Sequence, residues 1–125
     1  MTMNIKITAG SVAVDAELYD TTTAKAIADA LPITAQAQRW GNEIYFAIAS
    51  AAQLEQDSRD ILEMGELAYW PPGKAFCIFF GRTPASQGDE IRAASAVNIV
   101  GRIKGDCSGL TEVASGADVS IEQAP

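Results

Sequence analysis

Apolar and polar residues alternate with a period of two along most of the chain, and this pattern restricts the fold to one built mainly from half-buried strands. Met3, Ile5 and Ile7 alternate with polar residues, and the alternation resumes after residues 9–11 with Val12 and Val14. The pattern predicts two strands joined by a tight turn.

One helix and a hairpin are predicted next. Residues 20–23 are of the types that cap helices, and Ala24, Ile27 and Leu31 recur on one helical face until Pro32 ends the helix. The period then returns to two on both sides of Gly41, which predicts a hairpin over residues 36–48 with Ile44, Phe46 and Ile48 on one face.

The second half of the chain contains the most apolar segment. Residues 75–80 are apolar at every position, which predicts a central strand covered on both faces, with Phe79 and Phe80 pointing to opposite sides. Further strands are predicted at residues 69–70, 97–103 and 119–121, and residues 50–66 and 81–95 are predicted to be polar loops, the first with one helical turn. About eight short strands and one helix predict an all-β fold, a closed antiparallel barrel, in a single domain of residues 1–125.

Composition excludes several classes of function. Nine Lys and Arg residues against sixteen Asp and Glu residues give a net charge of −7, which disfavours nucleic acid and anionic membranes as partners. The chain has no histidine, so Ser-His-Asp and Cys-His catalysis are excluded, together with the commonest metal ligand. Cys77 and Cys107 form no CxxC pair, and Cys77 is predicted to be a buried thiol. We therefore expect no cofactor, no metal site and no catalytic residue.

The beginning of the chain bears on its location in the cell. Residues 1–6 lack the basic stretch, apolar run and cleavage site of a secretory signal, and no apolar run reaches the roughly 18 residues that span a bilayer. These features predict a cytoplasmic protein. The sequence gives no indication of an oligomeric state.

Four segments resemble a family of small bacterial and archaeal proteins that have a cyclophilin-like barrel and no established activity. They are residues 22–27, 40–46, 65–81 and 97–103, and the Tyr-Trp-Pro-Pro-Gly run at residues 69–73 is the most specific. The resemblance implies an eight-stranded barrel with helices at its ends. True cyclophilins are similar only in the strands around Phe79-Phe80 and residues 100–105. The Phe-His-Arg and Gln-Gly-Gly contexts of their active site are absent here, so prolyl isomerase activity does not transfer.

The candidate ligand-binding residues are Arg39, Tyr45, Trp70 and Arg82. Tyr45 and Trp70 are amphipathic and lie near strand ends, where they could line a groove or belong to the core. Arg39 and Glu43 flank the turn at Trp40-Gly41 and could either orient a ligand or form a cross-strand ion pair, and the ion pair is favoured. Arg82 begins a loop that suits either a binding rim or plain solvent exposure.

Two functions remain open on these residues. The favoured one is a non-catalytic module that binds a small molecule or a peptide through its aromatic rim. The alternative is a peptidyl-prolyl isomerase in which Arg39 or Arg82 polarises the amide above an apolar pocket, a reaction that needs no histidine.

Overall fold

The fold is described here from a computed structural model that covers residues 2–125, and Met1 lies outside the described residues. Ten strands, one helix and two short 3₁₀ turns form within this range. The strands are β1 (Met3–Ala9), β2 (Val12–Leu18), β3 (Ile33–Gln36), β4 (Gln38–Arg39), β5 (Glu43–Ala47), β6 (Arg59–Leu62), β7 (Glu66–Trp70), β8 (Ala75–Phe79), β9 (Ile91–Lys104) and β10 (Asp118–Gln123). The helix α1 is Thr22–Asp29, and the 3₁₀ turns are Pro71–Gly73 and Ser108–Glu112.

The strands form one antiparallel network in the order β3-β10-β1-β2-β9-β7-β8-β5-β4, and β6 pairs with β9 beside this path. The two ends of the order, β3 and β4, are consecutive in the chain and are separated by Ala37 alone. Within residues 2–125, no hydrogen-bonded ladder joins β3 to β4. The all-β class is confirmed, whereas the closed eight-stranded barrel is not: the strands number ten, and hydrogen bonds do not close the sheet.

The main core lies on one face of the network. Its largest fully buried side chains include Ile5, Ile7, Leu18, Ile27, Ile44, Phe46, Leu67, Tyr69, Phe76 and Ile78. The Phe46 and Phe76 rings stack across the β5–β8 pair with their centroids 5.5 Å apart. Helix α1 covers part of this core with Ala24 and Ile27. The Thr21 hydroxyl accepts a hydrogen bond from the Ala24 amide at 3.1 Å, so the predicted N-terminal cap is confirmed.

A smaller apolar cluster lies on the opposite face of β7 and β8. Its buried members are Leu62, Ala68, Ala75, Cys77, Phe79, Ile91, Ala93 and Val97. Side chains alternate along β8, so Phe79 packs in this cluster while Phe80, the next residue, packs in the main core. The prediction that residues 75–80 form a strand buried on both faces is confirmed.

Both segments predicted to be loops contain strand. Residues 59–62 form β6, and β9 begins at Ile91, six residues before the predicted start of that strand. The first half of β9 pairs with β6 while its second half pairs with β7 and β2. Neither segment shows a regular alternation of apolar and polar residues. Each forms a strand because it pairs with the other, which lies about thirty residues away in the sequence.

The segment between β5 and β6 is held by a buried polar network. Asn98 on β9 is fully buried, accepts a hydrogen bond from the Glu55 amide at 2.8 Å, and donates to the Thr23 hydroxyl at 3.0 Å and to the Gln53 carbonyl at 2.8 Å. Glu55 in turn accepts from the backbone amide and the hydroxyl of Thr23. These residues join the loop, the first turn of α1 and β9, so this part of the predicted polar loop is fixed to the sheet by hydrogen bonds.

Candidate functional site

An apolar cavity of about 290 Å³ opens on the face that carries the smaller cluster. Its lining residues come from four strands and one turn: Trp40, Glu43, Tyr45, Trp70, Cys77, Phe79, Ala93, Ala94 and Val97. Four of these are aromatic, four are small or aliphatic, and Glu43 is the acidic one. The cavity is therefore separate from the main core and is available to a ligand without disturbing it.

The register of β5 and β8 builds one wall of the cavity. Glu43 lies opposite Phe79, and Tyr45 lies opposite Cys77. Residues two apart in a strand point to the same face, so all four side chains project to one side of the sheet. The opposite face of β5 carries Ile44 and Phe46 into the main core, which confirms the predicted alternation in this strand.

The turn between β4 and β5 places Trp40 beside Glu43. These two residues exchange both backbone hydrogen bonds, at 3.0 and 3.2 Å. The turn passes through Gly41 with a φ of +62°, and a Cβ at this position would lie 2.9 Å from the Arg82 carbonyl oxygen. Glycine is required here both by the backbone conformation and by the close approach of the loop after β8.

Trp70, at the end of β7, forms another wall and is held from two sides. Its indole N–H donates to the Ser95 hydroxyl at 2.7 Å. Gly73 lies against its ring, where a Cβ would be 2.8 Å from both Cε3 and Cζ3. The Pro71–Gly73 turn that follows β7 thus fixes the indole, and Ala93 and Ala94 of β9 are small enough to leave space beside it.

Glu43 is a carboxyl group in an apolar setting. The residue is 6% exposed, and burial raises the pKa of its side chain from the usual 4.5 to about 7. The neighbouring Cys77 thiol opposes part of that rise in pKa. No lysine or arginine within residues 2–125 forms an ion pair with Glu43. The carboxyl group therefore changes its ionisation near neutral pH.

Cys77 is a buried thiol, as predicted. Its exposed fraction is 2%, and burial together with the neighbouring Glu43 raises its pKa well above the usual value. Its sulfur also lies 3.7 Å from the Ala75 carbonyl oxygen. A thiol that stays protonated is a poor nucleophile, so Cys77 contributes polarisable apolar surface to the cavity.

The structure brings together two of the four predicted site residues. Tyr45 and Trp70 both line the cavity. Arg39 lies elsewhere, with its guanidinium 5.1 Å from the Phe80 ring centroid and donating to the carbonyls of Val113 at 2.7 Å and Gly41 at 3.0 Å. The expected ion pair between Arg39 and Glu43 does not form, because these side chains project to different surroundings.

Arg82 is exposed and does not line the cavity. Its backbone carbonyl accepts a hydrogen bond from the Asn42 amide at 2.8 Å, which holds the loop against the Gly41 turn. Trp40 is not singled out by the sequence, and for Glu43 the sequence favours an ion pair with Arg39 over a ligand-orienting role, whereas both residues line the cavity. The alternation did place Glu43 and Tyr45 on one face of a strand, but only the pairing with β8 and the path of β9 show that this face is covered.

Residues 2–125 contain neither a group of metal-ligating side chains nor a helix that could span a membrane. No three Cys, Asp or Glu side chains there are grouped so that they could hold a metal ion. The one helix found there is eight residues long, and no described helix meets the length and hydropathy that crossing a bilayer requires.

Comparisons with known proteins agree with this architecture. The family model described as cyclophilin-like matches residues 3–122. The solution structure of the hypothetical protein AF2241 from Archaeoglobus fulgidus is 49% identical in sequence, covers 98% of this chain and 95% of its own, and superposes with a TM-score of 0.83. No curated protein matches the sequence. The matched region spans nearly the whole chain, and the chain therefore belongs to the cyclophilin-like family.

Proposed function

We propose that this protein is a non-catalytic binding module that takes a small ligand into the cavity lined by Trp40, Glu43, Tyr45 and Trp70. The observation that carries the proposal is an apolar cavity, built outside the main core, that contains one buried carboxyl group. Ligand sites in proteins are typically apolar clefts with a few placed polar groups. A cavity of about 290 Å³ lies near the lower end of their usual range, roughly 300–1,000 Å³, which favours a small molecule over a long peptide.

The isomerase alternative receives no support from the cavity. That mechanism requires a cation next to the amide of the substrate, and the candidates for this cation are Arg39 and Arg82. Arg39 is engaged with backbone carbonyls and the Phe80 ring, and Arg82 does not line the cavity. The lining residues carry no positive charge.

The chain contains a direct reporter for testing this proposal. It has two tryptophans, and both line the cavity. Titration of fragment-sized compounds, from benzyl alcohol to choline, should produce a saturable change in tryptophan emission for at least one chemical class. Ala94→Phe should abolish that change, because Ala94 is exposed at the cavity and a phenyl ring there fills it.

Ala51→Phe is the matched control, since Ala51 is exposed and is not among the lining residues. It should bind as the parent does. If no compound gives a saturable change, or if Ala94→Phe and Ala51→Phe bind equally well, the cavity is not the ligand site. A coupled assay on proline peptides tests the alternative, and acceleration that Ala94→Phe suppresses would favour the isomerase over the binding module.

A further inference from the structure

We propose, on the basis of the binding function above, that the ligand of the cavity is a small organic ammonium cation held between the Glu43 carboxylate and the rings of Trp40, Tyr45 and Trp70. This assignment follows from three features of the cavity: its aromatic walls, the way in which Trp70 is presented, and the absence of a cationic side chain beside Glu43.

The aromatic walls suit a weakly hydrated cation. Trp40, Tyr45 and Trp70 reach the cavity from the β4–β5 turn, from β5 and from β7, so a ligand inside is bordered by rings on several sides. The electron-rich faces of aromatic rings attract cations, and tryptophan attracts them most strongly. Sites that recognise methylated ammonium groups are built in this way. A neutral apolar ligand would fit as well by shape, but it would gain nothing from the ring quadrupoles.

The indole of Trp70 offers its ring and not its N–H to a ligand. The N–H is already donated to the Ser95 hydroxyl at 2.7 Å, and Gly73 lies against the ring. The indole thus supplies π surface without a free donor. This arrangement disfavours an anionic group at this wall, which would need a donor there, and suits an ammonium group, which has no acceptor to satisfy.

The carboxylate of Glu43 has no positive partner among residues 2–125. A buried negative charge is costly unless a cation or several hydrogen bonds compensate it. Here the remaining contact is the Cys77 thiol, a weak donor. A bound ammonium group would complete the pair, and the net charge of −7 would favour the approach of cations over anions.

The ionisation of Glu43 gives the proposal a distinctive signature. The titratable groups that line the cavity with it are Cys77 from β8 and Tyr45 from β5, and β7 and β9 contribute none. Cys77 stays protonated because its pKa is raised. A cation binds best when Glu43 is ionised, so its affinity should increase as the pH rises towards about 7 and then level off. A neutral ligand that buries Glu43 further should show the opposite trend or none.

The test compares choline with dimethylbutanol, its neutral carbon isostere, by tryptophan fluorescence at pH values of about 5.5 and about 8. We expect choline to bind at least about tenfold more tightly than the isostere at the higher pH, and this preference to shrink at the lower pH. Glu43→Gln, which keeps the size of the side chain, should remove the preference and its pH dependence while leaving binding of the isostere in place. Thermal unfolding of the variant establishes that it is folded.

The outcomes separate this inference from the binding function on which it rests. Equal or tighter binding of the isostere, or an affinity for choline that falls as the pH rises, would leave the binding module intact and overturn the cation assignment. Binding of other fragments without binding of choline would do the same. Failure of every compound, the isostere included, would overturn the binding function itself. The comparison of the two ligands on the unmodified protein decides the matter even where Glu43→Gln fails to fold.

Discussion

Glu43→Gln should make the folded protein more stable at neutral and alkaline pH. The carboxyl group of Glu43 has a pKa of about 7 in the folded chain because it is buried in an apolar cavity, whereas its usual value is 4.5. This difference corresponds to about 3 kcal/mol of unfolding free energy. An amide of the same size has no charge to desolvate, so it avoids that cost.

The sign of the pH dependence follows from the direction of the shift. The folded chain binds this proton more tightly than the unfolded chain, so the contribution to stability is complete below about pH 4.5. It is lost as the pH rises towards about 7 and changes no further above that. Glu43→Gln should therefore resemble the parent at about pH 4.5 and exceed its unfolding free energy by about 2–3 kcal/mol at about pH 8, after allowance for the weaker contact with Cys77.

Urea unfolding followed by circular dichroism at several pH values between about 4.5 and 8 measures this difference without relying on the cavity tryptophans. Glu90→Gln is the matched control. Hydrogen bonds from the Gln87 and Gly88 amides and from Arg92 lower the pKa of Glu90 to about 2, so Glu90 stays ionised throughout the range. Its replacement should lower stability by an amount that does not vary above about pH 5.5, where the carboxyl group is ionised in the unfolded chain as well.

A constant difference between Glu43→Gln and the parent across the range would refute the reasoning. So would a variant that is less stable than the parent at about pH 8. Either result would mean that Glu43 is already compensated in the free protein. The apolar description of the cavity would then be wrong.

Five other substitutions test the description of the fold and of the site. Phe79→Ala and Phe80→Ala should each lower the unfolding free energy by about 3–5 kcal/mol in urea titrations, because each ring is buried in one of the two apolar clusters. A loss below about 1 kcal/mol would place that ring at the surface. Asn98→Leu should cost about 2 kcal/mol or more, because it removes the partner of the Glu55 amide and of the Gln53 carbonyl and one of the two partners of the Thr23 hydroxyl. Hydrogen exchange should show faster opening of residues 53–55, and unchanged exchange would contradict the network. Trp70→Ala should abolish the ligand-induced change in the emission of Trp40, whereas Arg82→Ala should leave the ligand-induced change unaltered. A loss of that change in Arg82→Ala would extend the site to the loop after β8.

The elements that the sequence predicts correctly are those whose pattern is complete within the element. The helix has its cap at Thr21 and its apolar stripe within one stretch of chain, and the strand at residues 75–80 is apolar throughout. Strand β6 has no such pattern: its residues are Arg, Asp, Ile and Leu, and Ile61 is 42% exposed. It is a strand because the first half of β9 pairs with it, and that pairing joins residues distant in sequence.

The candidate site illustrates the same limit. Alternation places Glu43 and Tyr45 on the same face of β5. From the sequence, that face is expected to be exposed to solvent, with Glu43 paired to the neighbouring Arg39. In the folded chain that face borders a cavity which Ala93, Ala94 and Val97 of β9 also line. The burial of Glu43, and hence its pKa, is thus a property of the assembled sheet and cannot be read from residues 39–45 alone.

The hydrogen-bonded order of the strands has a consequence for the behaviour of the protein at high concentration. Its terminal strands, β3 and β4, contain four and two residues, and the side strand β6 contains four. Unpaired backbone along a sheet edge can recruit the edge of another copy, and short edges offer too few donors and acceptors to do so. Some backbone amides around β4 are also already hydrogen-bonded within the chain: the Ala37 amide donates to the Ala117 carbonyl, and the Arg39 amide donates to the Ser115 hydroxyl. A β-rich chain of this kind should therefore resist the growth of intermolecular sheets as long as its edge segment, residues 33–39, stays in place.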